Sequence, residues 1–364
     1  MKLREELCAL EKNSYASDHI DLPEGGIDCS EGCNPYGFPK EIEKVLSSFD
    51  PSRFAPYPHS TAAYDGICNY WKEQCELKKE NIMLSDGSIA ALYIINNLFN
   101  VKNAKIMGVA PQFTDFVANV RLLGMNYEPA YMKRENNFQI NVDELLDGIT
   151  EEVSMLYIDN PNNPTGQILD EHDIQRLLEK ARECNVCLVV DEAYGDFMPK
   201  ENSAVKFLND YENLIVVRTL SKGFGLAGLR AGYILASESL ISCMNKVSNP
   251  YQIGEFTREL VGAALNSPNN ITDHMKYFVR QKGILREFLG NCLEMAKTSD
   301  TVSICLIYHK DQKVDLYKRF LEEGVLTVPG AEFEGLNSSY VRIRMPKMEE
   351  FHVLQKAVER INEG

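Results

Sequence analysis

Short apolar runs that fit β-strands alternate with stretches of helical pattern from about residue 80 to residue 236, and this alternation restricts the fold more than any other feature. Several runs are apolar at consecutive positions, which is typical of strands covered on both faces. Between them, the stretch 170–184 has an apolar stripe at helical spacing, and Asp170 can cap its first turn. Alternating strands and helices predict an α/β fold with a largely parallel, doubly wound sheet. The predicted strands are 81–84, 104–109, 125–132, 153–159, 186–191, 214–220 and 231–236.

The two ends of the chain have a different pattern. Residues 1–45 are irregular and rich in turn residues, whereas residues 255–364 combine long helical stretches with predicted strands at 301–308 and 340–345. Neither an internal repeat nor a low-complexity linker separates the parts. The sequence therefore predicts a large α/β domain over residues 46–254 and a smaller α+β domain built from both chain ends, residues 1–45 and 255–364.

The charge and the cysteines argue against several classes of function. The chain of 364 residues has a net charge of −15, whereas nucleic acids and anionic membranes select for basic surfaces. No stretch has the apolar length that a membrane helix needs. The ten cysteines form no paired clusters with histidine, so we expect core thiols and no metal site. Unpaired thiols and an N-terminus without signal-peptide character favour the cytoplasm.

Polar residues follow three of the predicted strands, at the sheet edge where ligands bind in this architecture. The first segment is Asp-Asn-Pro-Asn-Asn-Pro-Thr-Gly at 159–166. Its prolines and glycine fix a turn, and its asparagine side chains can donate hydrogen bonds. Taken alone, a tight surface turn explains this segment equally well.

The second segment is Asp-Glu-Ala-Tyr, which begins with Asp191 at the end of an apolar run. A carboxylate buried at such a position is costly without a partner. If it faced a heterocyclic nitrogen, it would keep that nitrogen protonated and make the ring an electron sink. By itself, an aspartate that caps the next turn is an equally good explanation.

The third segment contains Lys222, which lies between two apolar strands among small hydroxyls and glycines. Most lysines are solvated surface groups, but in these surroundings a lysine amine becomes a nucleophile. Arg230 follows eight residues later and can carry a phosphate. Residues 223–228 also match Gly-x-Gly-x-x-Gly, which is typical of dinucleotide sites when it opens a helix. The next predicted strand begins at residue 231, so no such helix fits and a nicotinamide or flavin enzyme is not expected.

The chain resembles the class I/II aminotransferases of the fold-type-I pyridoxal-phosphate enzymes in three segments that occur in the same order. These are Asn-Asn-Pro-Thr-Gly (162–166), Asp-Glu-Ala-Tyr (191–194) and Ser-Lys-Gly-Phe-Gly-Leu-Ala-Gly-Leu-Arg-Ala-Gly-Tyr (221–233). Within that superfamily, the chain is similar to the branch that contains histidinol-phosphate aminotransferase and threonine-phosphate decarboxylase. The resemblance implies a large domain with a mostly parallel seven-stranded sheet, a smaller α+β domain, and pyridoxal 5'-phosphate as the cofactor.

The resemblance also implies a role for individual residues of the cofactor site. Lys222 would form a Schiff base with the cofactor and then move the substrate's α-proton, while Asp191 would pair with the ring nitrogen. Tyr194 and Asn163 would hydrogen-bond the phenolic oxygen of the ring. Phe113 would stack on the ring, although a phenylalanine by itself is more often part of the core. The cofactor phosphate would lie against a helix N-terminus and a neighbouring cradle, formed by Gly87, Ser88, Ile89, Thr219, Ser221 and Arg230.

Other matched positions imply how the substrate and a second subunit take part. Arg342 matches the arginine that clamps the substrate carboxylate, and Arg344 on the same strand face would either assist it or be a surface charge. Asn34 and Tyr36 lie in the turn where the similarity begins and would contact the substrate. Tyr57 matches a tyrosine that reaches the phosphate of the neighbouring subunit, so the resemblance implies a homodimer.

Three positions depart from the family pattern. Val328 stands where both phosphate-substrate families have an arginine that grips the substrate phosphate, which argues against a phosphorylated substrate. His59 replaces an acidic residue that often follows Tyr-Pro, and Ala90 occupies another position that is often acidic.

The resemblance implies an aminotransferase that exchanges an amino group between an amino acid and a 2-oxo acid. The main alternative is an α-decarboxylase of a phosphorylated hydroxy amino acid, because the same residues serve both reactions and the bond held perpendicular to the ring decides which group leaves. A regulatory protein that binds the cofactor without turnover is a third candidate, but neither a DNA-binding domain nor a basic patch is visible. The sequence does not identify the amine donor or the acceptor.

Overall fold

In the computed structural model of the protein, residues 5–9, 22–101, 103–267 and 271–363 are described. The helices are α1 (Glu5–Ala9), α2 (Glu41–Ser48), α3 (Ala62–Trp71), α4 (Gly87–Leu98), α5 (Thr114–Leu122), α6 (Val142–Gly148), α7 (Glu171–Glu183), α8 (Glu238–Met244), α9 (Glu255–Leu265), α10 (Ile271–Phe288), α11 (Leu316–Glu322) and α12 (Phe351–Glu363). The strands are β1 (Ile27–Asp28), β2 (Ile82–Ser85), β3 (Lys105–Ala110), β4 (Asn126–Tyr131), β5 (Val153–Asp159), β6 (Cys187–Asp191), β7 (Leu214–Thr219), β8 (Gly232–Ala236), β9 (Leu293–Met295), β10 (Ile304–His309), β11 (Val325–Leu326), β12 (Val328–Pro329) and β13 (Tyr340–Arg344).

The largest sheet has seven strands in the order β2-β8-β7-β6-β5-β3-β4. Strand β8 runs antiparallel to both of its neighbours, and the other pairings are parallel. The structure confirms the predicted mostly parallel sheet, and no predicted end of these strands differs from the observed end by more than one residue. The connection from β7 to β8 contains only a short 3-10 turn, Ala227–Leu229, so the Gly-x-Gly-x-x-Gly match opens no α-helix.

Packing on both faces of the sheet explains why most of its strands are largely apolar, in contrast to the partly exposed edge strand β4. In β6, Leu188 and Val190 belong to one buried cluster, while Cys187 and Val189 belong to the cluster on the opposite face. Side chains alternate between the faces of a strand, so every position meets a covering layer of helices. The thiol of Cys187 is part of this core, as the sequence predicted, whereas Cys8 and Cys243 are exposed and are not core thiols.

A second, antiparallel sheet has the order β12-β13-β10-β9 and lies in the C-terminal part of the chain. Strands β10 and β13 correspond to the two strands predicted there, although β10 begins later than predicted because Thr301 lies in a turn and donates a hydrogen bond to the carbonyl of Phe197 at 2.7 Å. Near the other chain end, β1 pairs in parallel with β11. These contacts join the two chain ends, while the domain boundaries at residues 46 and 254 stay predictions.

Among the described helices, none combines the length and the apolar character that crossing a membrane requires.

Candidate active site

A cavity of about 280 Å³ lies at the carboxyl ends of β5, β6 and β7 in the large sheet. Parallel strands present these ends at one edge, and ligands bind there in open α/β sheets. Many of the residues that the sequence singled out line this cavity: Ser88, Ile89, Phe113, Asn163, Asp191, Tyr194, Ser221, Lys222 and Arg230. The sheet topology thus brings together residues that are distant in the chain.

Asp191 is the last residue of β6 and is only 3% exposed. Its Oδ2 accepts a hydrogen bond from the Tyr157 hydroxyl at 2.9 Å, and its Oδ1 accepts one from the backbone N–H of Ala193 at 2.9 Å. Burial raises the pKa of Asp191 to about 6, although both of these hydrogen bonds favour the ionised form. The carboxylate is therefore fixed in place and ready to pair with a cation in the cavity.

Lys222 follows β7 and reaches the same cavity with a half-buried side chain. Its Nζ lies 5.6 Å from the centroid of the Tyr194 ring. The backbone around it is fixed, because the Lys222 carbonyl accepts hydrogen bonds from the N–H groups of Asn34 at 2.8 Å and Gly225 at 3.2 Å. The amine thus lies inside the site, and two hydrogen bonds to the Lys222 carbonyl fix the backbone that carries it.

A buried network of ion pairs packs against the loop that contains Lys222. Arg218 in β7 pairs with Glu192 at 3.0 Å and with Asp196, and all three side chains are almost completely buried. A Cβ on Gly223 would overlap Asp196, so the residue after Lys222 packs directly on this network. Burial raises the pKa of Glu192 and that of Asp196, while Arg218 opposes the rise in both, so the arginine balances the two carboxylates.

Tyr194 places a buried hydroxyl in the cavity that has no hydrogen-bond partner among the described residues. Burial raises the pKa of this hydroxyl to about 12. A Cβ on Gly32 would overlap the hydroxyl, so only glycine lets that part of the backbone pass so close. Buried hydroxyls rarely lack a partner, and an orphaned one at a cavity indicates that a ligand supplies it.

A second region of the cavity is suited to an anion. Helix α4 begins at Gly87, whose φ of +81° favours glycine, and a Cβ there would lie 2.6 Å from Arg230 Nη2. Arg230 is exposed, and its Nη1 donates to the Ala227 carbonyl at 3.0 Å. The Thr219 hydroxyl donates to the Ser221 hydroxyl at 3.0 Å. A guanidinium, hydroxyls and a helix N-terminus form the surroundings that phosphate groups prefer.

Arg342 approaches the site from β13 and is buried. Its Nη1 donates to Asn163 Oδ1 at 3.0 Å, and its Nη2 donates to the Ser30 carbonyl. Arg344 lies two residues further on but donates to three backbone carbonyls, those of Glu31 at 2.8 Å, Met345 at 3.1 Å and Asp28. Arg344 thus holds the segment 28–31 and does not line the cavity.

Gly87, Thr219 and Arg342 are not among the residues that line the cavity, and neither are Asn34, Tyr36 and Tyr57. Asn34 donates from Nδ2 to the Gly223 carbonyl at 2.9 Å, and the Tyr36 ring stacks on His274 with centroids 4.7 Å apart. Asn34 thus ties the N-terminal segment to the Lys222 loop, and Tyr36 ties it to α10. Tyr57 is 71% exposed and stacks on Tyr251 with centroids 4.8 Å apart. The substrate roles of Asn34 and Tyr36 and the partner role of Tyr57 stay predictions.

The structure adds residues to which sequence reasoning gave no role. Asp159 and Asp115 line the cavity as buried carboxylates, and Tyr157 donates to Asp191 from a neighbouring strand. Asp159 carried a signal, because it ends an apolar strand as Asp191 does. Asp115 carried none, since an acidic residue in the first turn of a helix is common. Within the described parts of the chain, no cluster of histidine, cysteine or acidic residues could hold a metal ion.

Comparison with known proteins identifies the family. The model of the family "Aminotransferase class I and II" matches residues 27–361. A histidinol-phosphate aminotransferase of Ruminiclostridium cellulolyticum is 28% identical over 96% of this chain and 96% of its own length, and one of Methanocaldococcus jannaschii is 26% identical over 99% and 95%. The solved structure of histidinol-phosphate aminotransferase from Clostridium acetobutylicum has a TM-score of 0.81 at 22% identity, covering 93% of this chain and 99% of that one, which shows the shared fold.

The chain therefore belongs to the aminotransferase class I and II family, whose members are pyridoxal-phosphate-dependent enzymes of fold type I. It is an enzyme, an aminotransferase, as the sequence predicted. The relatives do not favour the decarboxylase alternative.

The raised pKa of Asp191 predicts how stability depends on pH. The pKa of this group is about 6 in the folded protein without cofactor and 3.8 ordinarily, so the folded state binds the proton more tightly. Its contribution to stability is present below pH 4 and is lost as the pH rises through about 6. In Asp191→Asn, the slope of unfolding free energy against pH in this window should be less negative by up to about 1.4 kcal/mol per pH unit.

Urea unfolding of the cofactor-free protein at several pH values measures this slope. Asp170→Asn is a matched control, because Asp170 is an exposed helix cap and asparagine caps equally well. A difference between wild type and Asp191→Asn that stays constant from pH 4 to pH 7 would contradict the expected proton uptake.

Proposed function

We propose that this aminotransferase binds pyridoxal 5'-phosphate in the cavity at Lys222 and exchanges an amino group between an amino acid and a 2-oxo acid. The observation that carries the proposal is the meeting of three groups around one cavity. These are the amine of Lys222, the buried carboxylate of Asp191 and the hydroxyl of Tyr194, which has no hydrogen-bond partner in the described parts of the chain. Each is the kind of group that a different part of this cofactor requires.

The residues present fit the cofactor part by part. Asp191 would pair with the ring nitrogen, Tyr194 and Asn163 would hydrogen-bond the phenolic oxygen, and Phe113 would stack on the ring. Lys222 would hold the aldehyde carbon covalently. The phosphate would be held by the backbone at the N-terminus of α4 and by the neighbouring polar groups, namely Gly87, Ser88, Ile89, Thr219, Ser221 and Arg230.

The protein's own residues then direct the reaction. When bound, the cofactor supplies an electron sink for the charge that develops at the substrate α-carbon. Lys222, once displaced by the substrate amine, would take the proton from the substrate α-carbon and deliver it to the former aldehyde carbon of the cofactor. Arg342 would pair with the substrate carboxylate and so orient the bond to the α-hydrogen for cleavage. Because this ion pair retains the substrate carboxylate, it favours transamination over decarboxylation.

Replacement of Lys222 tests this proposal directly. Purified wild type should show a visible absorption band that borohydride removes, and Lys222→Ala should lack both the covalent link and turnover. Lys222→Arg keeps the positive charge but should fail in the same way, which separates covalent attachment from electrostatics. Lys276→Ala removes an exposed lysine and should behave as wild type.

Incubation with mixed amino acids and 2-oxoglutarate identifies the reaction class. Formation of glutamate supports transamination, whereas release of carbon dioxide without glutamate would contradict it. A bound cofactor without either product would indicate a protein that binds the cofactor and does not turn over.

We further propose that the amine substrate carries no phosphate. Val328 in β12 lies directly opposite Arg342 in β13 and is 2% exposed. An apolar side chain at this place cannot pair with a phosphate dianion, and burying such a charge there would be costly. Arg344, the nearest arginine on the same strand, is already bound to backbone carbonyls. The related proteins are named histidinol-phosphate aminotransferases, so this chain would differ from them in its substrate.

A donor screen with matched pairs tests the substrate class. Histidinol and histidinol phosphate, and serine and phosphoserine, differ only in the phosphate group. We expect kcat/KM for the unphosphorylated member of each pair to equal or exceed that for the phosphorylated one, because the buried, apolar side chain of Val328 cannot pair with the phosphate. A preference of more than about tenfold for the phosphorylated members, which corresponds to about 1.4 kcal/mol, would overturn this assignment.

We propose that the enzyme works as a homodimer in which Tyr57 reaches the phosphate site of the partner. Tyr57 is 71% exposed. Other large apolar side chains near Tyr57 or near its stacking partner Tyr251 in the sequence are also exposed: Leu46, Phe54, Val247 and Tyr251 itself. Exposed apolar surface of this kind is typical of subunit interfaces. A tyrosine hydroxyl at the edge of such an interface can donate to a phosphate.

Mixing of two variants tests whether the site is shared. A hybrid of Lys222→Ala and Tyr57→Ala subunits would contain one site with both residues intact, so at limiting cofactor the mixture should be more active than the mean of the two variants. The matched control mixes Tyr57→Ala with the double variant Lys222→Ala/Tyr57→Ala, which cannot form an intact site. Equal activity of the two mixtures would contradict a shared site.

The proposed location is the cytoplasm, and the proposed partners are small molecules. All ten cysteines are unpaired in the structure, and free thiols persist in reducing compartments. The net charge of −15 disfavours nucleic acid as a partner.

A further inference from the structure

A second carboxylate stands beside Asp191 at the edge of the large sheet. Asp159 ends β5 as Asp191 ends β6, and the two residues are direct partners in the parallel register. Partners on neighbouring strands project to the same face, about 4.8 Å apart along the sheet. Asp159 is 4% exposed and lines the cavity. Within the described residues, neither carboxylate forms an ion pair.

Three hydrogen-bond donors surround the Asp159 carboxylate. Its Oδ1 accepts from the side-chain amides of Asn162 at 2.8 Å and Gln112 at 3.2 Å. Its Oδ2 accepts from the backbone N–H of Asn163 at 2.9 Å. A carboxylate is the one side chain of this shape that only accepts, so it satisfies all three donors at once.

These bonds connect Asp159 to the arginine of the substrate site. Asn163, whose N–H is held by Asp159, accepts a hydrogen bond on Oδ1 from Arg342 Nη1 at 3.0 Å. Asp159 and Asn163 belong to the large sheet and the turn after it, whereas Arg342 belongs to the antiparallel sheet. The chain of bonds therefore fixes the guanidinium relative to the cavity across the boundary between the two sheets.

We propose that Asp159 is a positioning residue that sets the orientation of Asn163 and, through it, the place of Arg342 in the carboxylate-binding site. This inference rests on the proposed function, because it assigns Arg342 to the substrate carboxylate. In this role, Asp159 touches neither the substrate carboxylate nor the cofactor nitrogen and acts through Asn163.

The chemistry of the three donors explains why an aspartate is required. In Asp159→Asn, whichever end carries the amide nitrogen would face a donor, either the Asn163 N–H or the two side-chain amides. That donor would lose its buried partner, and the turn would have to shift. A protonated aspartate would likewise place a hydrogen-bond donor against one of these three donors. Burial raises the pKa of Asp159 to about 7, and the hydrogen bonds from Asn163 and Asn162 limit this rise because they favour the ionised form.

Calorimetric binding of succinate to the cofactor-loaded enzyme tests the proposal. Succinate carries carboxylates but no amino group, so its dissociation constant reports the carboxylate site without turnover. We expect Asp159→Asn to bind succinate at least fivefold more weakly than wild type and to raise KM for the amine donor more than it lowers kcat. Asp170→Asn, which removes an exposed charge from the same loop region, should bind as wild type.

A double-mutant cycle with Asn163→Ala separates positioning from general damage. If Asp159 acts through Asn163, then adding Asp159→Asn to Asn163→Ala should weaken succinate binding no further. Wild-type affinity in Asp159→Asn, or a full additional loss in the Asn163→Ala background, would overturn the proposal. Should Asp159→Asn fail to fold, Asp159→Ser, which can still accept one hydrogen bond, is subject to the same two criteria.

The visible absorption band distinguishes this proposal from the proposed function. Lys222 and Asp191 are intact in Asp159→Asn, so the band should remain in that variant. A wild type without the band would contradict the cofactor assignment, whereas a normal band with unchanged succinate affinity in Asp159→Asn would contradict the role of Asp159 alone.

Discussion

Burial of Asp159 and Asp191 side by side at the carboxyl edge of the sheet is the constraint on which the rest of the site depends. Two like charges on adjacent strands oppose each other's ionisation, and taking each out of water is costly. The protein offsets this cost with donors: Tyr157 and Ala193 donate to Asp191, and three amides donate to Asp159. A cationic ring in the cavity would add the attraction that this arrangement otherwise lacks.

The same edge explains why both chain ends are needed to complete the site. The carbonyl of Lys222 is held by the N–H of Asn34, and Gly32 passes against the Tyr194 hydroxyl. The segment that contains these residues is in turn held by Arg344, which donates to the carbonyls of Glu31 and Asp28. An arginine bound to backbone carbonyls supports a loop, and here the loop carries Gly32, which lies against the Tyr194 hydroxyl. Arg342, to which we assign the substrate carboxylate, lies on the same strand as Arg344.

Some elements of the fold and of the site could be predicted from the sequence, and others could not. The strands of the large sheet were predicted to within one residue, and most of them are buried on both faces and largely apolar, although the edge strand β4 is partly exposed. Asp191 and Lys222 were found because they follow such strands. The antiparallel direction of β8 was not predicted, since a strand's pattern does not reveal its direction. Asp159 carried the same signal as Asp191 but was given no role, because a strand-end aspartate is also a common turn residue.

Contacts between distant segments could not be predicted from residue types alone. Asn34 and Tyr36 match family positions, but only the folded chain shows that their side chains meet the Lys222 loop and His274. The sequence only places Arg344 in a predicted strand, and its three carbonyl partners are visible only in the structure.

A crystal structure of the enzyme grown with pyridoxal 5'-phosphate is the most direct test of the central claim. We expect electron density that continues from Lys222 Nζ into the cofactor, with the ring nitrogen at about 2.8 Å from the Asp191 carboxylate, the usual length of a charge-assisted hydrogen bond. Cofactor joined to another lysine, or a ring whose nitrogen faces away from Asp191, would contradict it.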